Sequence, residues 1–211
     1  MKDAYRPKKK ELWKPAEKKR YLNFGRRKNK TEKIYFDAFN GGNVNIRFTK
    51  GNETDPVHLA NALVRDYKAS ELDQNLGDIA FCIVDEDLSP LQEQLIQRSE
   101  SIIRKINGTM IVSNPCFEIW YICHYGYSTK QYDSNQDVVN TLKKYVPDYE
   151  KGFPHMQEIL AGSITDAITN AKRLEMYHEA TTGNAKRYNC QPRTDVYKAI
   201  EVILKKNITK S

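Results

Sequence analysis

Short apolar runs that alternate with amphipathic segments of helical period constrain the fold of this 211-residue chain more than any other feature. Such runs occupy residues 20–26, 43–49, 79–84 and 108–114, and a segment with helical spacing follows each of them. Strands that are joined through helices run parallel, and the helices cover both faces of their sheet. The alternation therefore predicts an α/β fold with an open, mostly parallel sheet that is flanked by helices.

The C-terminal part of the chain shows a different pattern. From about residue 133 onward the periodic segments have helical spacing alone. We therefore expect three parts: a basic N-terminal arm at residues 1–18, an α/β core at 19–130, and a C-terminal helical region at 131–211 that packs on the core.

The net charge of +7 is concentrated near the N-terminus. Residues 1–33 contain 14 Lys and Arg against 4 Asp and Glu, whereas the remaining residues contain 20 against 23. A basic segment of this kind attracts polyanions and releases counterions when it contacts phosphates. The charge distribution favours a nucleic-acid partner, and a solvated basic tail is the alternative interpretation.

Composition excludes several other classes of protein. No stretch approaches the ~18 consecutive apolar residues of a membrane span, and no apolar segment follows the basic N-terminus as in a secretory signal. The four cysteines form no C-x-x-C pair, so neither a zinc site nor a disulfide framework is indicated. We expect a reduced, cytoplasmic protein without a membrane partner.

Three carboxylates, Asp85-Glu86-Asp87, follow the apolar run at residues 79–84 directly. Ligands of open α/β sheets bind at the carboxyl ends of the strands, where Asp85 and Asp87 would point the same way and Glu86 would turn away. Two like charges ~5–6 Å apart repel by roughly 3 kcal/mol at an effective dielectric near 20. Mg²⁺ would remove this repulsion, so Asp85 and Asp87 are predicted metal ligands. A solvated loop or a helix cap is the alternative.

A second polar group follows the run at residues 108–114. Asn114 and Glu118 lie at this strand-to-helix junction, and they are further candidates for positioning a water, metal or phosphate. A first-turn acid that is favoured by the helix dipole is the alternative interpretation of Glu118. His124 ends the following helix, where a histidine is more often a core or capping group than a base.

Several segments resemble one protein family. They occur in the order found in RloB-like proteins, across residues 20–204, and they include "KTEKIYFDAF", "FCIVDEDLS", "VSNPCFEIWYICHY" and "NCQPRTDVYKAIEVIL". The resemblance implies a Toprim-type α/β core with Mg²⁺ or Mn²⁺ as cofactor. It also implies a metal-dependent nuclease of a bacterial antiphage defence system, often beside an ABC-type or AAA-type ATPase partner.

The chain departs from the family pattern at the first Toprim motif. Where C-E-G-E is expected before K-T-E, the sequence reads Arg26-Arg27-Lys28-Asn29, so Arg27 replaces the motif glutamate. One hypothesis is that Arg27 substitutes for the metal and leaves a pseudo-nuclease, because a guanidinium pairs with carboxylates. The other is that Glu32, one helical turn later, supplies the missing carboxylate and activity survives.

The leading functional prediction is a metal-dependent nuclease for DNA or RNA, impaired if Arg27 replaces the metal. The alternative is a non-catalytic nucleic-acid-binding or assembly subunit that works with an ATPase; homo-oligomerisation is left open. The predicted catalytic residues are Glu32, Asp85, Asp87 and Glu118. The predicted nucleic-acid contacts are Arg26, Arg27, Lys28, Lys30, Arg187 and Arg193.

Overall fold

A five-stranded sheet forms the centre of the computed structural model, which describes residues 20–25, 30–49, 55–182 and 190–208. The strands are β1 (Arg20–Gly25), β2 (Val44–Phe48), β3 (Ile79–Asp85), β4 (Thr109–Asn114) and β5 (Arg193–Thr194). They lie in the order β2-β1-β3-β4-β5; the first four are parallel and β5 is antiparallel to β4. The predicted α/β fold with a mostly parallel sheet is confirmed.

Eight α-helices accompany the sheet within the described residues. They are α1 (Lys30–Asp37), α2 (Pro56–Ala69), α3 (Pro90–Ile103), α4 (Glu118–Cys123), α5 (Asn135–Leu142), α6 (Met156–Leu160), α7 (Ile164–Thr182) and α8 (Val196–Ile208). Asp55 caps α2, because its carboxylate accepts hydrogen bonds from the backbone N–H groups of Val57 and His58. None of the described helices has the length and apolar character that a membrane crossing requires.

The helices are divided between the two faces of the sheet. Leu59 and Leu63 of α2 and Ile96 of α3 pack on one face, whereas Tyr35 of α1 and Trp120 of α4 pack on the other. This division follows from the strand order, because the direction of the crossovers reverses between β1 and β3 and right-handed connections then change face. A reversal of this kind marks the position where open α/β sheets bind ligands.

The sequence predicted that the C-terminal region consists of helices alone, and this prediction is wrong in one respect. The region also contributes β5, whose Thr194 hydroxyl lies 3.0 Å from the hydroxyl of Ser113 on β4. Leu174 of α7 and Ile200 of α8 belong to the same apolar cluster as Phe24 of the sheet. The last helices therefore complete one face of the α/β core.

Candidate functional site

Asp85 ends β3 and is buried at the carboxyl edge of the sheet. Phe81 and Ile83 face the layer that contains α1 and α4, and strand alternation directs Asp85 to the same face. The residue is 4% exposed, and its Oδ1 atom has no hydrogen-bond partner among the residues that the structure describes. An unpartnered buried carboxylate oxygen is costly and indicates a ligand-binding position.

Two further carboxylates approach Asp85 from the helices of that layer. Glu32 lies in the first turn of α1 and is 3% exposed, and Glu118 begins α4 and is 2% exposed. Burial raises the pKa of Asp85 well above its usual value, and the charges of Glu32 and Glu118 raise it further. We call Glu32, Asp85 and Glu118 the carboxylate cluster.

Glu118 is held in place by its neighbours. The hydroxyl of Tyr149 donates a hydrogen bond to Oε1 of Glu118 across 2.9 Å. Burial and the charge of Glu118 raise the pKa of Tyr149, so the phenol stays protonated and remains a donor. The backbone N–H of Gly152 donates to Thr31 Oγ1 at 3.1 Å, which ties the Tyr149 loop to α1 beside Glu32.

Lys151 is a cation at the carboxylate cluster that the sequence did not reveal. Its side chain is exposed to solvent, and its charge lowers the pKa of Asp85. Burial lowers the pKa of Lys151, but Glu118, Cys116, Asp85 and Glu32 together raise it above its usual value. Lys151 lies in a loop far in sequence from the three carboxylates, and no motif connects it to them.

Among the described groups whose charges act on Asp85, negative charges outnumber positive ones. Glu32, Glu118 and Asp87 raise the pKa of Asp85, whereas the ammonium group of Lys151 lowers it. A proton or an added cation relieves such an excess. Carboxylate oxygens are the donors that Mg²⁺ and Mn²⁺ prefer, so the chemistry of the donor set fits either ion.

The geometry limits how many protein ligands an ion would have. Across residues 20–25, 30–49, 55–182 and 190–208, no group of three or more His, Cys, Asp or Glu side chains is arranged to hold a metal. Mg²⁺ is commonly bound through one or two carboxylates, with waters and substrate phosphates completing the shell. Asp85, together with Glu32 or Glu118, is the pair of ligands that fits this pattern.

Asp87 is positioned differently from the sequence prediction. Strand β3 ends at Asp85, and Asp87 adopts a left-handed conformation with φ of 51°, so strand alternation does not extend to it. Its Oδ1 accepts a hydrogen bond from Nδ2 of Asn135 at 2.9 Å. The charge of Asp87 still raises the pKa of Asp85, after the larger contributions of burial, Glu32 and Glu118.

Asn114 and His124 lie outside the carboxylate cluster. Strand alternation directs Asn114 to the α2 and α3 face, opposite Asp85, because Met110 and Val112 of the same strand pack there. His124 follows α4 and is 5% exposed, with Nδ1 lying 3.0 Å from Ser163 Oγ. Burial lowers the pKa of His124 to about 4, so the imidazole is neutral at physiological pH.

The predicted nucleic-acid contacts are only partly described. Arg26, Arg27, Lys28 and Arg187 lie outside the described residues, as does the N-terminal arm, and Lys30 is the first residue of α1. Arg193 is buried on β5, and its Nη2 atom contacts Asp195 Oδ2 at 2.7 Å. This placement does not support the prediction for Arg193, because a buried, ion-paired guanidinium is not accessible to a phosphate.

The fold and the carboxylate cluster define an α/β protein with an acidic site at the carboxyl edge of its sheet. The family model described as RloB-like protein matches residues 28–203, so the chain belongs to the RloB-like family. The resemblance drawn from the motifs is thereby confirmed. No curated protein and no solved structure matches the chain.

Proposed function

We propose that this chain is a divalent-metal-dependent phosphodiesterase that acts on nucleic acid. The observation that carries the proposal is the carboxylate cluster, in which buried side chains from β3, α1 and α4 lie close enough for the charges of Glu32 and Glu118 to raise the pKa of Asp85. The cluster lies at the carboxyl end of β3, next to the reversal of the strand order, where open α/β sheets bind ligands.

The residues of the site have distinct roles in this proposal. Asp85, with Glu32 or Glu118, would hold Mg²⁺ or Mn²⁺, and Tyr149 fixes the orientation of Glu118. The bound ion would polarise the phosphate and lower the pKa of an attacking water. Lys151 extends from this site into solvent, where its ammonium group would contact a phosphate oxygen of the substrate.

The nucleic-acid substrate is inferred from charge and family. The 14 Lys and Arg within residues 1–33 provide the attraction for a polyanion, although most of them lie outside the described residues. Membership of the RloB-like family supports a role in bacterial antiphage defence and control by an ATPase partner. We include both as parts of the proposal.

A non-catalytic nucleic-acid-binding subunit is the second candidate function. It is favoured by the lack of three-ligand metal geometry within the described residues and by Lys151, which neutralises part of the cluster internally. The two candidates respond differently to chelation. Cleavage through a metal ion requires the ion, whereas electrostatic binding persists in EDTA and weakens steeply with salt.

The test is cleavage of end-labelled single-stranded and duplex DNA and RNA with Mg²⁺, Mn²⁺ or EDTA. We expect metal-dependent cleavage that falls at least about 100-fold in Asp85→Asn and Glu118→Gln. Glu179→Gln changes an exposed carboxylate on α7 and serves as the matched control. Cleavage that persists in EDTA, or in Asp85→Asn, would contradict the proposal. Unchanged cleavage by Glu32→Gln would remove Glu32 from the site.

Calorimetric titration with Mg²⁺ and Mn²⁺ separates the two hypotheses about the first motif. If the carboxylates hold a metal, the wild-type protein binds the ion and Asp85→Asn does not. That result would exclude the substitution of Arg27 for the metal. Absence of binding in the wild-type protein, together with absence of cleavage, would favour the pseudo-nuclease.

A further inference from the structure

Tyr125 and Tyr145 form a parallel aromatic stack on the side of the helical layer. Their ring centroids are 4.4 Å apart and the ring planes differ by 9°. Tyr125 is the inner member, because its hydroxyl is shielded from solvent. This burial raises the pKa of Tyr125. Tyr145 is the outer member and is 50% exposed. Tyr125 covers one face of the Tyr145 ring, and half of the Tyr145 surface remains exposed.

Positive charge lies next to this open ring. Lys143 and Lys144 directly precede Tyr145 and are both exposed. Lys130, which lies near the same turn, is bonded to Asp137 and adds little free charge. Tyr177 is another exposed tyrosine, but its ring meets His178 edge-on rather than forming a parallel stack.

Two chain segments connect the stack to the carboxylate cluster. Helix α4 carries Glu118 at its start, and Tyr125 follows seven residues later, about 10 Å further along a helical path. Tyr145 precedes Tyr149 by four residues, which span at most about 14 Å, and Tyr149 bonds to Glu118. Both members of the stack are therefore held close to the site.

We propose that the open face of Tyr145 is a stacking platform for an unpaired base of single-stranded nucleic acid. Lys143 and Lys144 contact the phosphates on either side of that base. The inference rests on the proposed function, because it specifies a substrate class for the same site. A paired base does not offer its face to a side chain, whereas the bases of a single strand stack on aromatic rings without sequence preference.

The combination of features distinguishes this surface from a protein-docking patch. The exposed ring is rigidly supported from behind, which lowers the conformational entropy lost when a flat group stacks on it. The residues directly before it are cationic rather than apolar, and they complement a phosphate backbone. The carboxylate cluster, about 10 Å from Tyr125 along the chain path that starts at α4, would then receive a nearby phosphodiester.

The test measures binding of fluorescein-labelled 12-nucleotide probes to the full chain in EDTA, so that cleavage does not interfere. The probes are a single strand, the matching duplex, and a strand of the same length whose central nucleotides are abasic. Tyr145→Ala should weaken single-strand binding by about tenfold or more, and Tyr145→Phe should preserve it, because the phenyl ring still stacks. Tyr177→Ala is the matched control and should bind normally.

The abasic probe separates base stacking from phosphate contact. Tyr145→Ala should leave its affinity unchanged, whereas the double variant Lys143→Gln/Lys144→Gln should weaken all probes. Equal losses for the natural and abasic strands in Tyr145→Ala, unchanged single-strand binding, or no single-strand binding by the wild-type chain would overturn the proposal. Far-UV circular dichroism confirms that each variant is folded.

Different experimental results would reject the stacking platform and the proposed phosphodiesterase function. If the single strand binds through Tyr145 but no metal-dependent cleavage occurs, the platform stands and the phosphodiesterase is rejected. If cleavage occurs and Tyr145→Ala leaves both KM and single-strand affinity unchanged, the platform is rejected and the phosphodiesterase stands.

Discussion

Two groups of charges near the carboxyl end of β4 are each centred on a buried carboxylate, and they differ in how directly the opposite charges are paired. The first, which we call the paired network, links the buried Arg193 and Asp195 to the partly exposed Lys198 and Glu175 through direct ion pairs, and the charge of Glu86 also raises the pKa of Arg193. Lys198 contacts Asp195 at 3.0 Å and Glu175 at 2.9 Å. Burial raises the pKa of Asp195, but Arg193 and Lys198 outweigh it and lower the pKa below its usual value.

The carboxylate cluster shows the opposite behaviour. Burial and the neighbouring charges of Glu32 and Glu118 raise the pKa of Asp85, and Lys151 offsets only part of this rise. Both groups are close to the same strand ends, since Asp85 pairs in register with Ser113 and Ser113 with Thr194. Asp85 and Asp195 are both buried, but their pKa values shift in opposite directions, because Asp195 has cations in direct contact and Asp85 is surrounded mainly by other carboxylates.

This difference in charge pairing distinguishes a structural network from a candidate functional site. A paired network satisfies its own charges, and it holds β5 and α8 against the sheet without need of a ligand. An unbalanced cluster is destabilising on its own, and proteins retain such groups where a ligand or substrate supplies the missing charge. The difference therefore supports the proposed function of the cluster around Asp85 and indicates a structural role for the network around Arg193.

The largest predicted effect is loss of stability when the paired network is unbalanced. Arg193→Met removes the buried guanidinium that pairs with Asp195 and leaves the ion pair of Asp195 with Lys198. The free energy of unfolding should fall by about 3–5 kcal/mol, as for other buried pairs that lose one partner. Urea unfolding followed by circular dichroism measures this change.

Lys172→Met is the matched control for this variant. It breaks an ion pair with Glu201 in which both side chains are more than 40% exposed. The expected loss is below about 1 kcal/mol. Similar losses for the two variants would show that the pairing around Arg193 is not a scaffold, and the comparison of the two groups would fail.

Most of the fold could be predicted from the sequence, because the patterns that indicate its strands and helices are local. The apolar run ending at Val84, the Asp55-Pro56 helix start and the helical spacing around Ile34 and Tyr35 all depend on near neighbours. Strand β5 was not predicted, since two residues carry no measurable period. Its pairing with β4 depends on a contact across about 80 positions of sequence, which residue patterning does not encode.

Only part of the candidate site could be predicted from the sequence. Asp85 and Glu118 follow apolar runs, and strand ends of a parallel sheet meet at one edge, so their proximity could be predicted. Glu32 was proposed from the family motif, and the structure places it near Asp85. Lys151 reaches the cluster through a loop of the C-terminal region, and Arg193 is buried by its pairing with Asp195. Both depend on tertiary packing.

The second prediction concerns Asp85 and the pH dependence of stability without metal. Because the folded-state pKa of Asp85 is raised, its contribution to stability is complete below the unfolded-state pKa of about 3.9. That contribution is lost as the pH rises through the folded-state value. Asp85→Asn does not ionise, so in EDTA it should be more stable than the wild type at neutral pH, by a few degrees in Tm. The difference should shrink toward pH 4.

Asp195→Asn is the counterpart in the paired network and should change stability in the opposite direction. The lowered pKa of Asp195 contributes stability above the unfolded-state pKa, which is lost as the pH falls through the folded-state value. This variant should be less stable than the wild type at neutral pH, with a difference that shrinks in acid. Thermal unfolding of both variants between about pH 2 and pH 8 measures both trends, because the Asp195 difference shrinks only below the unfolded-state pKa of about 3.9. Destabilisation by Asp85→Asn at neutral pH in EDTA would contradict the assignment of an unbalanced cluster.

The smallest predicted effect concerns Lys151, the one described cation whose charge lowers the pKa of Asp85. Its side chain is exposed, so Lys151→Gln should lower the free energy of unfolding by less than about 1 kcal/mol. The loss should depend on Asp85, because the two charges interact directly. In an Asp85→Asn background the same substitution should therefore cost less, and a double-mutant cycle at pH 8 in EDTA measures this coupling. Equal losses in both backgrounds would mean that Lys151 does not stabilise the ionised form of Asp85, and its place in the site would have to be given up.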